Sequence, residues 1–218
     1  MTVAQLDPLR RAWTRLPSGA RLDLLNPSPS AWLDSDIAIR LSRTFRWGGD
    51  SVWPEPLSVA QHSLMVLELQ GCSDPRKALR ELLHDADEVF LAFDCIMPVK
   101  PILGKPFKDL TDRLMAAICT RYNLPEWSHK DYILHKDADN TAAASEAYHC
   151  TGWTENEVRN VLCIKHPILK EDPLAVVYDC KPWEPWPSKV AADRFLAKLS
   201  ELVRAQAPAD NQPHFARR

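Results

Sequence analysis

Apolar residues in this chain recur at helical spacing, and that periodicity decides what it can fold into. Ile37, Leu41 and Phe45 fall at i, i+4 and i+8. Ala78, Leu82, Leu83, Ala86 and Val89 line one side of "DPRKALRELLHDADEVFLAF". Leu110, Leu114, Ala117 and Ile118 do the same in "DLTDRLMAAICTRY", and Val190, Phe195, Leu196 and Leu199 in "SKVAADRFLAKLSELVRAQ". No run alternates convincingly with the period of two that a half-buried strand requires. Glycine is scarce, at 6 residues, and most of the 18 prolines fall between the helical stretches. Ser58 and Gly71 bracket one helix as N-cap and stop, and Asp74-Pro75 opens the next. The prediction is an all-α, single-domain helical bundle.

The rest of the composition narrows the function classes. At 218 residues the chain is long enough to bury a sizeable core. Its net charge of -2 gives no broad basic field for a nucleic acid polymer or an acidic membrane. No apolar run approaches the ~20 residues of a membrane span, and "MTVAQLDPLRRAW" lacks a signal peptide's apolar centre. Cys72, Cys95, Cys119, Cys150, Cys163 and Cys180 are scattered, with no C-x-x-C pair, which reads as reduced thiols. A cytoplasmic protein is the expectation. "APADNQPHFARR" has the composition of a disordered tail.

Polar residues inside otherwise apolar helices carry the chemistry. His62 sits in "SVAQHSLMV", His84 and Asp85 in the middle of the predicted helix "LLHDADEV", and Asp139 in "LHKDADNTAAASEA". Burying such groups is costly unless they are paired or hold a metal. Two imidazoles and two carboxylates form a mixed nitrogen and oxygen set suited to Mn, Fe, Co, Ni or Zn rather than Ca. Consecutive helical side chains diverge by about 100°, so His84 and Asp85 can share one ion only in a cleft between helices. Glu88, four residues after His84, shares its face on a regular helix. Asp87 is expected to be solvated. Glu146, seven residues after Asp139, either supports the site or caps the bundle. Trp53, Trp183 and Trp186, set among prolines, read as loop anchors.

The order His62, His84-Asp85, Asp139 resembles that of the HD-domain metal-dependent phosphohydrolases. "DIAIRLSRTFRWGG", "SVAQHSLMV", "LLHDADEVF", "DCIMPVK" and "KDADNTAAASEA" are similar, in that order, to blocks of the branch containing 5'-deoxynucleotidases and phage dATP triphosphohydrolases. "VFLAFDCIMPVK" is one residue longer than the usual pattern there. The resemblance covers roughly residues 20 to 150 and implies a domain over 21–206, after an extension at 1–20 and before a tail at 207–218. It implies one divalent metal on His62, His84, Asp85 and Asp139, with Mg possible for a triphosphate substrate. Asp139 is preferred to Asp137 because Lys136-Asp137-Ala138-Asp139 matches the family's Lys-x-Ala-Asp. Glu88 is implied as general acid or base, and Asp94 as the residue that orients water or sugar. Arg46 and Trp47 are implied to contact phosphate, sugar and base, although Trp47 also suits plain core packing. Lys100 and Lys136 are further candidates for phosphate. The implied substrate is a (deoxy)nucleotide and the implied assembly a homo-oligomer. The alternatives are a non-catalytic nucleotide-sensing scaffold and a di-iron oxygenase. The latter is disfavoured because His129 and His135 are poorly placed to add two ligands.

Overall fold

The computed structural model describes residues 12–206, so the expected tail at 207–218 lies outside the described residues. Among the described residues there are nine α-helices and one short hairpin, and the protein is broadly all-α. The hairpin departs from the sequence reading. Strands β1 (Trp13–Arg15) and β2 (Arg21–Asp23) pair antiparallel with Thr14 opposite Leu22. Three residues per strand are too few for an alternation to register. The expected boundary at residue 20 falls inside this hairpin, whose Leu16 and Leu22 are buried in the main core. Asp36 ties the hairpin to the bundle: its buried carboxylate accepts from the Ser18 amide (2.7 Å), the Ser18 hydroxyl (2.8 Å) and the Leu33 amide (2.8 Å).

Helix α1 (Asp34–Leu41) buries Ile37, Ala38 and Leu41 but stops short of Phe45. The hydroxyls of Ser42 and Thr44 donate to the carbonyls of Ile39 and Arg40, and such local bonds compete with helix continuation. The chain then runs extended beside the start of α2, with Val59 N–H donating to Thr44 O and Arg46 N–H to Leu57 O. That pairing sets the Arg46–Gly49 turn next to α2.

Helix α2 (Val59–Gln70) is the centre of the molecule. Ser58 caps it by accepting from Gln61 N–H, and Gly71 ends it at φ 61°, as the sequence predicts. Every residue from Val59 to Leu67 is buried, so the helix has no solvent face over that stretch. It packs against α3 (Pro75–Leu82), α6 (His129–Cys150), α8 (Pro173–Val177) and α9 (Ser188–Gln206). Burial of Gln61 is made tolerable by two bonds of its amide, one to Glu184 O (3.1 Å) and one from Trp186 N–H (2.7 Å). Those bonds anchor the tryptophan-containing strap before α9. The buried stripe of α9 is Ala191, Ala192, Phe195, Leu199 and Leu202, whereas Val190 is exposed.

The predicted continuous helix through His84 is broken. Helix α3 ends at Leu82, a turn spans 83–87, and the one-turn helix α4 (Glu88–Leu91) follows. Backbone bonds switch there to i+3 spacing, with His84 N–H donating to Glu81 O and Glu88 N–H to Asp85 O. Leu83, Ala86, Val89 and Phe90 stay buried through the break, which keeps the turn pressed onto the core. Helix α5 (Lys100–Tyr122) is itself interrupted at Gly104 (φ 68°) and carries Pro106. A short α7 (Glu155–Asn160) opens with a capping box between Thr154 and Glu157. None of the six cysteines is paired, and no helix among the described residues is long and apolar enough to cross a membrane.

Candidate metal centre

Three elements bring three of the four predicted ligands, His62, His84 and Asp85, to one point and set the fourth, Asp139, beside His62 but outside that group. Helix α2 supplies His62, the turn between α3 and α4 supplies His84 and Asp85, and α6 supplies Asp139. Because the backbone at 83–87 is not helical, the adjacent His84 and Asp85 escape the divergence of a regular helix. His84 Nε2 lies 3.1 Å from Asp85 Oδ2. His62 Nε2 lies 3.6 Å from the same oxygen and 3.4 Å from Asp139 Oδ1. One donor atom each from His62, His84 and Asp85 falls within 4.8 Å of the others. Donors sharing a cation at about 2.1 Å stand ~3.0–3.4 Å apart, so the set suits a single ion.

The imidazole tautomers point the same way. His62 Nδ1 is 2.6 Å from Glu146 Oε1, and His84 Nδ1 is 2.8 Å from Glu81 O. Both partners are acceptors, so each Nδ1 carries a proton and each Nε2 faces the cluster, where a bound cation would replace the proton that the carboxylates favour on His62. Both Nε2 atoms are buried and have no hydrogen-bond partner among the described residues. At 3.4 Å the Asp139 oxygen is within ion-pair reach of His62 Nε2 but does not make a well-formed hydrogen bond. Two buried, unpartnered imidazole nitrogens facing two carboxylates are what a divalent cation would satisfy.

Electrostatics around the cluster are strongly shifted. Burial disfavours ionisation of Asp85 and Asp139, yet the His84 and His62 rings hold both far below the usual carboxylate range. Burial and the Arg46 charge oppose protonation of His62, but Glu146 and Asp139 raise it to about 9. Glu88 is buried, and burial with the charges of Asp85 and Asp94 pushes its carboxyl up to about 10, against the pull of Lys100. Lys100 Nζ stands 3.6 Å from Glu88 Oε1. Asp87, expected to be solvated, is instead half-buried and pushed up to about 7 by burial and by Asp85. Asp94 lies in the segment between α4 and α5, near enough for its charge to act on Arg46, Glu88 and Lys100.

The remaining predicted residues surround the cluster. Arg46 donates from Nε to Glu146 Oε2 (2.9 Å), and its Nη1 is 3.7 Å from Asp85 Oδ2. Trp47 donates from Nε1 to the same Glu146 oxygen at 3.3 Å. Its backbone is left-handed (φ 58°, ψ 29°), a conformation that costs a bulky residue on the order of 1–3 kcal/mol. The indole is half-buried against a second small core of Ala144, Ala147 and Val158, so packing and site lining coexist in this residue. Lys136 is drawn onto Asp139 in an ion pair. Asp137 points away: its side chain is 63% exposed and pairs with His166 at 3.3 Å.

Behind the cluster stand Glu81, which escaped the sequence reading, and His135, which that reading weighed only as an extra ligand. Glu81 holds His84 through its carbonyl and, through its buried carboxylate, holds His135 Nδ1 at 2.7 Å. The His135 ring stacks on Trp127 at 4.7 Å and sets its edge against His84 at 4.9 Å. A carboxylate set between Leu79 and Leu82-Leu83 was the available signal for Glu81; its partner 54 residues away was not legible. With Nδ1 committed to Glu81, His135 supports His84 from behind.

The metal-free protein has a predictable pH profile. Glu88, Asp87 and His62 have folded pKa values above their unfolded ones, so the native state binds the extra protons. Their contribution to stability is full below the unfolded values and is lost as pH rises through about 7 to 10. Glu146 (about 2), Asp85 and Asp139 are depressed, so their contribution is lost as pH falls below about 4. In chelator, the melting temperature should therefore peak near pH 5 and fall towards pH 9. Saturating zinc should flatten the alkaline limb, since the ion takes the place of the protons. A melting temperature constant from pH 6 to 9 in chelator would contradict these shifts.

No model of a known protein family matches the chain. The chain is 40% identical over 168 residues to an uncharacterized protein of Rhodobacter capsulatus, a match covering 74% of this chain and 84% of that protein.

Proposed function

We propose that this chain, which belongs to the same family as the Rhodobacter capsulatus protein, is a divalent-metal-dependent phosphohydrolase acting on (deoxy)nucleotides. One observation carries the reading. The unpartnered Nε2 atoms of His62 and His84 face Asp85 and Asp139, beside the buried Glu88 carboxyl. His62, His84, Asp85 and Asp139 would hold the ion. When bound there, a divalent cation supplies Lewis acidity, drawing charge from a phosphoryl oxygen and making water a better nucleophile.

The chain's own groups account for the rest. Glu88 Oε2 is buried and unpartnered among the described residues, so no neighbouring group competes for a proton that Glu88 would exchange with water or a leaving 5'-oxygen. Asp94, whose charge acts on Glu88, is suited to orienting water or a sugar hydroxyl. Arg46 commits only Nε to hydrogen bonding among the described residues, which leaves its Nη groups for phosphate oxygens. Lys100 and Lys136 flank the carboxylates, so an anionic substrate meets a site whose negative charge is already offset. Trp47 offers a rigid wall. A homo-oligomer in the cytoplasm belongs to the same proposal.

The test is a panel of deoxynucleotides and ribonucleotides, as mono- and triphosphates, incubated with Mn, Co or Mg, with products separated by chromatography. The expected products are a nucleoside with phosphate, or a nucleoside with triphosphate. Nucleotide binding without turnover under every metal would favour the sensing scaffold and defeat the enzymatic reading.

A further inference from the structure

A cleft of about 320 Å³ opens between the loop joining α2 to α3 and the loop joining α5 to α6. That volume falls in the ~300–1,000 Å³ range of small-molecule sites. Arg80 of α3 and Trp127, just before α6, line it, together with the exposed Lys130. Arg80 stands apart from the other half-buried arginines. A guanidinium is rich in N–H donors. Arg40, Arg46, Arg121, Arg159 and Arg194 each donate to at least one oxygen. Among the described residues Arg80 donates to none. Its Nη1 faces only two sulfurs, Met115 Sδ at 3.5 Å and Cys119 Sγ at 3.2 Å, and sulfur is a weak acceptor. Its Nε is buried without a partner. The carboxylates that line the cleft do not supply the missing acceptor. Asp74 caps α3 through Arg76 N–H, Glu81 holds His135, and Asp131 takes the Ser128 hydroxyl and Lys77 Nζ. Glu126 lies exposed. The cleft also borders the first turn of the 22-residue α6, whose dipole favours negative charge there.

We propose that this cleft is a second ligand site, which takes a small oxyanion, a carboxylate or a phosphate group, on the Arg80 guanidinium. An oxyanion supplies the oxygen acceptors that Arg80 lacks, and two of its oxygens match the planar fork. The Trp127 ring lies 5.0 Å from Arg80 Cζ and holds the guanidinium in place before a ligand arrives. The two sulfurs compete only weakly for its donors. Lys130 adds a second positive charge at the cleft. None of these groups belongs to the metal centre, where Arg46, Lys100 and Lys136 are the cations. The proposal therefore stands whether or not the chain binds a metal or hydrolyses nucleotides.

The test uses the full chain as purified, labelled with 5-fluorotryptophan, in phosphate-free buffer at fixed ionic strength. Trp127→Phe identifies the Trp127 fluorine resonance among the eight tryptophans. Inorganic phosphate and succinate are titrated separately. At least one should move that resonance saturably, with a Kd of about 1 mM or tighter. The tighter of the two tells a phosphate ligand from a carboxylate one. Arg80→Met keeps the side chain's reach and removes its donors, so it should weaken binding by roughly 10–100-fold. Arg46→Met should leave the Trp127 response unchanged, which separates the cleft from any anion held at the metal centre. If a thermal melt shows that Arg80→Met does not fold, Arg80→Lys decides. It keeps the charge without the fork and should weaken binding by roughly three- to tenfold. A Trp127 resonance that neither anion moves saturably overturns the proposal. Affinity unchanged in the deciding Arg80 variant, or lost in Arg46→Met, does the same.

Discussion

Alanine at any one of His62, His84, Asp85 or Asp139 is expected to remove most bound metal and at least roughly 10³-fold of turnover, because the several kcal/mol that a cation supplies to the transition state disappear with it. Each ligand comes with its own consequence. Loss of Asp85 removes the oxygen that lies within 3.6 Å of both imidazole Nε2 atoms. Loss of His62 leaves buried Glu146 to Arg46 and Trp47 alone. Asp137→Ala is the control, since that side chain is 63% exposed and pairs with His166, and it should keep full metal and full activity. Elemental analysis of purified variants, beside a thermal melt to exclude collapse, gives the answer. Full occupancy in all four variants would end the metal assignment. Full occupancy in Asp139→Ala with loss in Asp137→Ala would transfer the fourth ligand.

Glu88→Gln should leave metal content intact and lower kcat by roughly 10²–10⁴, the usual contribution of a positioned acid or base. The substitution keeps size and shape. With its carboxyl pushed up to about 10, Glu88 in the metal-free fold is already uncharged at neutral pH, so glutamine costs the fold little. The melting temperature should hold or rise above pH 7, because the variant lacks a proton to lose there. Steady-state rates with the preferred nucleotide, with metal content measured on the same preparation, separate chemistry from binding. Near wild-type turnover would leave Glu88 as a buried carboxyl with no part in proton transfer.

Sequence legibility followed local physics. The ends of α2 were readable because Ser58 and Gly71 act on their immediate neighbours, and Asp74-Pro75 opened α3 for the same reason. The break at 83–87 was not readable. Leu82, Leu83, Ala86 and Val89 keep helical spacing and remain buried, so the apolar pattern runs unbroken across a backbone that does not. Yet that break is what lets His84 and Asp85 converge. The hairpin was missed because its strands are three residues each. Asp139 and Glu146 were legible as one face of a long helix. The pairing of Glu81 with His135 depends on tertiary packing that no local pattern encodes. Asp87 was misread because its burial follows from the same turn that the periodicity concealed.

The total burial of α2 gives the site unequal walls. From Val59 to Leu67 this helix has no face that can shift without disturbing the core, and Gln61 fastens it to the strap before α9. The opposite wall is built differently. Between Ala92, left-handed at φ 52°, and the kink at Gly104, the chain exposes Phe93, Ile96, Met97, Ile102 and Leu103. Few buried contacts restrain that stretch, so it opens at far lower free energy than α2. Asp94 and Lys100 ride on it; His62 does not. If the proposed site takes a ligand, its way in and out is therefore expected past this yielding stretch, which carries part of the polar chemistry, while His62 stays on the wall expected to exchange most slowly.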